Sequence, residues 1–332
     1  MEEVGSMSST IEQGNPLLKI DTSFQSYLIL HSLTSKIMDD DYNYVYESDS
    51  SIRQSINGVS GWNKVYKSIT TRDMPTIMKT TISSAVAVDA WNNAEIYDMA
   101  TICAERLKTR LPSIVINTKD KTCRCYSICS EDIDPCIVLT PSFISSCTRD
   151  EMMFVLATEI SRTQNGHCIY MFTAPYVGLS EDTDERRKNF MRIEGISAQV
   201  KYLMNEWPVG ANTTTDRAAL ICLDHPEKFP EVFKSVMEKN LCNYIQPYEV
   251  EETLDLADIT EYSKLLRRTA ARSIMIDEKY GMSARRILCA MEFFNCEIFY
   301  NCRADITAPH TVSKQMADLR CDIILGTAKG DD

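Results

Sequence analysis

Residues 135–167 read PCIVLTPSFISSCTRDEMMFVLATEISRTQNGH, and the division of this stretch into elements decides the fold. Cys136–Thr140 is nearly all apolar with branched residues, which predicts a strand. From Thr148 the pattern changes to helical spacing. Thr148 offers a capping hydroxyl and Glu151, three residues on, closes the box. Met152, Val155, Leu156 and Ile160 form the inward stripe, and Asn165-Gly166 supplies the stop. Glu159 borders that stripe, four residues from Val155 and three from Leu156. A carboxylate there is costly unless it is paired, metal-bound or lining a cleft.

Working outward, Ser113–Ile116 and Thr122–Cys129 read as two more strands, the second placing Cys123, Cys125, Ser127 and Cys129 on one face. Ser130-Glu131-Asp132 and Pro135 supply turn chemistry before Cys136. Ala85–Val88 is a short extended segment, and a helix follows from about Asn93 to Arg110. Other helices are expected over Phe24–Met38, Met191–Trp207, from Thr215 to Cys222, Phe229–Met237, Asp258–Ile276 and Ser283–Phe294. The fold class is therefore α+β, mostly helical, with a small sheet packed against the Thr148–Gly166 helix. Residues 1–20 read as a flexible lead-in. With no linker beyond them, residues 21–332 read as a single domain.

The 332 residues carry 47 acids and 35 bases, a formal charge of −12. That balance argues against a nucleic-acid binder, because phosphate contact needs a basic stripe. The best local candidate, Lys264–Arg286, reads as helix faces with apolar residues interleaved. Residues 1–60 hold nine acids and three bases, an acidic front suited to a basic partner. No apolar run has the length of a spanning helix. The acidic first residues lack an export signal. Thirteen cysteines cannot all pair internally, and several sit among apolar residues. A cytoplasmic chain using Cys as a small hydrophobe is expected.

The Pro112–His167 segment resembles the core of the HtpX/CAAX-protease type of zinc metallopeptidase, a strand leading to the active-site helix. That family's helix carries AHExxHxxxGH, and a later helix carries Glu four residues before Asp-Arg-Ala. Here the helix reads ATEISRTQNGH (Ala157–His167) and the later one NTTTDRAA (Asn212–Ala219). Ser83–Ile116 and Tyr280–Phe294 also resemble segments of that family, extending the similarity over about residues 80–295.

On this resemblance the zinc ligands fall on Thr158, Arg162 and Asn212, so all three are lost. The catalytic Glu falls on Glu159, and the Asp that steadies a ligand falls on Asp216. Thr and Asn bind zinc poorly, and Arg162 brings a cation where the metal cation belongs. No metal and no other cofactor is expected, and zinc peptidase activity is not. Arg162 clamped by Glu159 and Asp216 would fill the charge vacancy instead. Glu159, Arg162 and Asp216 are thus the candidate site residues, either as a structural ion network or as a cluster that binds substrate.

Cys123, Cys125, Cys129 and Cys136 are spaced C-x-C-x3-C-x6-C, unlike the close pairs of structural zinc sites, and strand alternation explains three of them. His167 beside Cys168 is poorly placed for a catalytic pair. The aromatic and Met-rich stretches Asp41–Ser48 and Met291–Tyr300 read first as packing, with adaptable contact surface as the alternative. The leading functional expectation is an inactive metallopeptidase relative that binds a peptide or protein. Its peptide-binding edge is expected at Cys136, Ile137, Val138, Leu139 and Thr140, by backbone hydrogen bonds that survive loss of the metal. The alternative is a zinc-independent enzyme in the same cleft. Glu159 and Asp216 would then serve as acid and base, and Arg162 would hold an anionic group of a peptide or small carboxylated metabolite.

Overall fold

The computed structural model describes residues 40–173, 198–242, 254–307 and 310–327. The expected lead-in, the Phe24–Met38 helix and the start of the Met191–Trp207 helix lie outside these residues. Within them the chain is mostly helical with one four-stranded sheet, which agrees with the α+β expectation.

The chain enters through α1 (Glu47–Asn57), α2 (Trp62–Ser68) and α3 (Met74–Ile82), the last two joined by a π-helical turn at Ile69–Asp73. Then come β1 (Ala85–Ala87), α4 (Ala94–Arg106), β2 (Ser113–Asn117), β3 (Cys125–Ser130) and β4 (Ile133–Leu139). The sheet order is β1-β2-β4-β3: β2 and β4 run parallel, and the outer pairs run antiparallel. This corrects one expectation. The Cys136–Thr140 segment is no edge, because β4 is hydrogen-bonded on both sides. A strand without polar alternation is what burial on both faces requires.

Alternation along β4 divides the core. Cys136 and Val138 join Trp62, Ile69, Met74, Cys168, Tyr170, Met204 and Trp207 in one buried cluster. Ile137 and Leu139 turn to the opposite face, in register with Ile114 and Ile116 of β2. After the short α5 (Pro141–Ser146), α6 spans Arg149–Gln164. Its capping box forms as expected: the Thr148 hydroxyl accepts from the Glu151 N–H, and the Glu151 carboxylate accepts from the Thr148 N–H. Every residue from Glu151 to Thr163 is buried, so this stretch of α6 is a central rod among the described residues and turns no face to solvent. Gly166 ends it at φ 67°, and α7 (His167–Met171) follows.

The partner of α6 is α8, Ala198–Cys222, which runs unbroken through Pro208. Two helices were expected over this stretch. The single helix survives a missing donor because Trp207–Cys222 is buried apart from Val209, and packing outweighs one lost hydrogen bond. Next come α9 (Phe229–Glu238), α10 (Leu256–Arg268), α11 (Met282–Phe293), α12 (Glu297–Cys302) and α13 (Lys314–Leu325). The expected Asp258–Ile276 helix stops at Arg268, where Thr269 turns extended. No helix among the described residues is long and apolar enough to cross a membrane. None of the thirteen cysteines is in a disulfide.

Candidate functional site

Glu159 and Arg162 lie one turn apart on α6, both with fully buried side chains, and guanidinium Nη1 meets carboxylate Oε1 directly. The other carboxylate oxygen accepts from the Ser127 hydroxyl on β3 at 2.7 Å. Burial pushes the Glu159 carboxyl up from its ordinary range, while Arg162 and the Ser127 hydroxyl and backbone N–H pull the other way. That hydroxyl is also 3.4 Å from the Cys168 thiol. Glu159 thus ties the central helix to the outer strand of the sheet. The neighbouring Cys125 thiol is pushed well up, by burial first and by Glu159 second.

Asp216 is on α8, as the spacing with Asn212 implies, but its cation differs from the expected one. Arg286 of α11 donates Nε to Oδ2 and Nη2 to Oδ1, each at 2.8 Å, with side chains 2% exposed on both sides. The guanidinium carbon of Arg286 lies 4.9 Å from the Phe233 ring centre. Arg162 acts on Asp216 only through its field, a weaker influence than burial or Arg286; burial prevails and raises the Asp216 carboxyl. The expected single arginine clamped by two carboxylates is therefore two pairs, Glu159–Arg162 and Asp216–Arg286. A bidentate fork fits one carboxylate, so each acid takes its own guanidinium.

The remaining ligand positions do not fit zinc. The Thr158 hydroxyl donates back to the Phe154 carbonyl at 3.0 Å, a common use of Thr inside a helix. Asn212 is 1% exposed, with neither amide atom bonded to a described residue. Among the described residues no group of three or more His, Cys, Asp or Glu is placed to hold a metal ion. Glu159 is 0% exposed, with Arg162 on one carboxylate oxygen and Ser127 on the other, a poor position from which to take a proton from water or substrate.

A second polar centre escaped the sequence reading. Asp49 on α1, fully buried, accepts from His167 Nε2 (2.9 Å), Trp207 Nε1 (2.9 Å), Thr214 Oγ1 (2.8 Å) and Arg53 Nε (3.0 Å). Burial raises this carboxyl, yet His167, Arg53 and Thr214 together hold it below the ordinary range. Burial also lowers the His167 imidazole, outweighing the pull of Asp49. The ring is then neutral, with its proton on Nε2 facing Asp49. Trp207, Gly210 and Thr214 share the α8 face that makes this contact possible. A methyl group at Gly210 would stand 2.8 Å from the Asp49 backbone nitrogen. The small Gly on a helix face between Trp207 and Thr214 was the available signal.

Comparison with protein-family models, with curated proteins and with solved structures finds no match to this chain.

Proposed function

We propose that this chain is a catalytically silent metallopeptidase homologue that serves as a peptide- or protein-binding module. The observation that supports it is the commitment of both candidate acids: Glu159 and Asp216 are 0% and 2% exposed, each paired with an arginine. A general base has to reach the proton it takes, and these carboxylates are spent on tying α6 to β3 and α8 to α11. The alternative, a zinc-independent enzyme using Glu159, Asp216 and Arg162, needs those groups open to substrate, and their burial counts against it. Cysteines buried in the core as small hydrophobes favour a reducing, cytoplasmic setting. Binding would then be an affair of the outer surface.

Restoring the lost ligands tests the homology. The triple variant Thr158→His, Arg162→His and Asn212→Glu should take up zinc close to one per chain, measured by elemental analysis, while the unchanged protein takes up none. A folded triple variant without zinc would refute the metallopeptidase framework. Stoichiometric zinc and peptide hydrolysis in the unchanged protein would refute the silent reading.

A further inference from the structure

The two edges of the sheet are treated differently. At the β3 edge, Ser127 is engaged by Glu159 of the central helix. The β1 edge has no such cover among the described residues. Val88 N–H donates to the Ile114 carbonyl and Thr118 N–H to the Ser84 carbonyl, so Ser84, Val86 and Val88 carry the inward bonds to β2. Ala85 and Ala87 alternate with them and point their backbone groups outward. The Ala87 carbonyl accepts from the Asn92 side chain at 3.0 Å. The Ala85 N–H and C=O and the Ala87 N–H bond to nothing among the described residues.

We propose that this β1 edge receives an extended peptide segment of a partner protein as a fifth strand, apolar at alternate positions. The proposal rests on the binding-module reading and moves the binding edge from β4, which is interior, to β1. Three outward backbone groups in line are complementary to another extended backbone and to little else. The side chains specify the face. On one side of the sheet run Ile137 and Leu139 (both 0% exposed), Ile114 (4%) and Ile116 (8%), ending at Val86, 41% exposed. This apolar layer stops at the sheet margin for want of a neighbour, and a partner residue beside Val86 would extend it.

Trp91 stands at the same margin, 97% exposed. Its loop is fixed: the Asp89 carboxylate accepts from the N–H groups of Trp91 and Asn92, both at 2.8 Å, and Asn92 ties the loop to Ala87. A large aromatic presented to water from a hydrogen-bonded loop at a strand edge suits contact with a partner, since Trp leads the residues that dominate interfaces. A second copy of this chain is the less suitable occupant. Edge-to-edge pairing would bring together two chains of charge −12 over a strand of three residues.

The probe is an acetylated, amidated peptide alternating Val and Ser with a Lys at each end. Trp62 and Trp207 are 2% and 0% exposed, so a fluorescence change reports Trp91. A saturable blue shift is expected, together with slowed hydrogen exchange at the Ala85 and Ala87 amides. Ala87→Pro deletes an outward N–H while leaving the β2 bonds intact, and should weaken binding at least tenfold; Ala87→Ser should not. Trp91→Ala, too exposed to be needed for folding, carries the same tenfold expectation if Ala87→Pro fails to fold. An absent or unsaturable shift overturns the proposal, and so does wild-type affinity in Trp91→Ala together with a folded Ala87→Pro. Self-association that grows with protein concentration and disappears in Ala87→Pro would overturn it in favour of a second copy. Zinc uptake by the restored-ligand variant is independent of these results, so either idea can fail alone.

Discussion

Arg162 stands one helical turn beyond Glu159 on α6, and the two side chains meet as an ion pair with no exposure on either side. Two charges removed from water are stable there only together. Arg162→Ala should therefore cost about 3–5 kcal/mol, because it abandons a buried carboxylate. Replacing both partners with apolar residues of similar size, Glu159→Leu with Arg162→Met, should recover most of that loss. Urea denaturation of the single and the double variant, each against the unchanged protein, measures both quantities. A single-variant cost within ~0.5 kcal/mol of zero would place the pair in solvent.

The division into two separate pairs makes a second expectation. A double-mutant cycle between Asp216→Asn and Arg286→Met should give a coupling of roughly 1–3 kcal/mol, since the two side chains share both hydrogen bonds. The cycle between Asp216→Asn and Arg162→Met should give less than half of that value. Equal couplings would mean that Asp216 is shared between the two arginines after all.

What the sequence made readable follows from how local each signal is. The capping box at Thr148–Glu151, the stop at Gly166 and the Glu159–Arg162 turn each span only a few residues, so spacing alone locates them. The partner of Asp216 is 70 residues away on another helix, and no spacing reports it. The interior position of β4 was legible in principle, because a run such as Cys136–Leu139 with no polar alternation suits a central strand. Asp49 was the least legible. Its four donors come from α1, α7 and α8, and nothing around residue 49 marks it as buried.

Gly210 and Gly166 should respond to the same change to different degrees and for different reasons. At Gly210 an added methyl meets Asp49 backbone at 2.8 and 3.0 Å, which neither helix can yield without moving. Gly210→Ala should cost about 1–3 kcal/mol as overpacking and disturb the Asp49 hydrogen bonds. Gly166 sits at φ 67° in open space, so Gly166→Ala pays only the left-handed backbone penalty, ~1 kcal/mol. Thermal denaturation ranks the two, and the reverse order would mean that α1 and α8 are less closely packed than described.

The Asp49–His167 contact sets a pH dependence whose sign can be worked out. The imidazole in the folded protein lies below its ordinary value, so between about pH 6.5 and that lowered value the unfolded chain binds a proton that the folded chain refuses. Stability should accordingly fall as pH drops below about 6.5, by up to ~1.4 kcal/mol per pH unit from this group. Asp49 adds nothing in that window, because its own lowered carboxyl withdraws stability only as pH falls below about 3.9. Glu159 and Asp216, both raised, work in the opposite direction in acid, favouring the fold as they protonate. Comparison with His167→Gln cancels their contribution and leaves that of the imidazole, including the part set by the fields of Arg53 and Arg162, which also hold it down. The difference in denaturation midpoint between the unchanged protein and His167→Gln should shrink steadily from pH 7 to pH 5. A difference that grows toward acid would mean that His167 is held in its charged form by Asp49, with burial the weaker force.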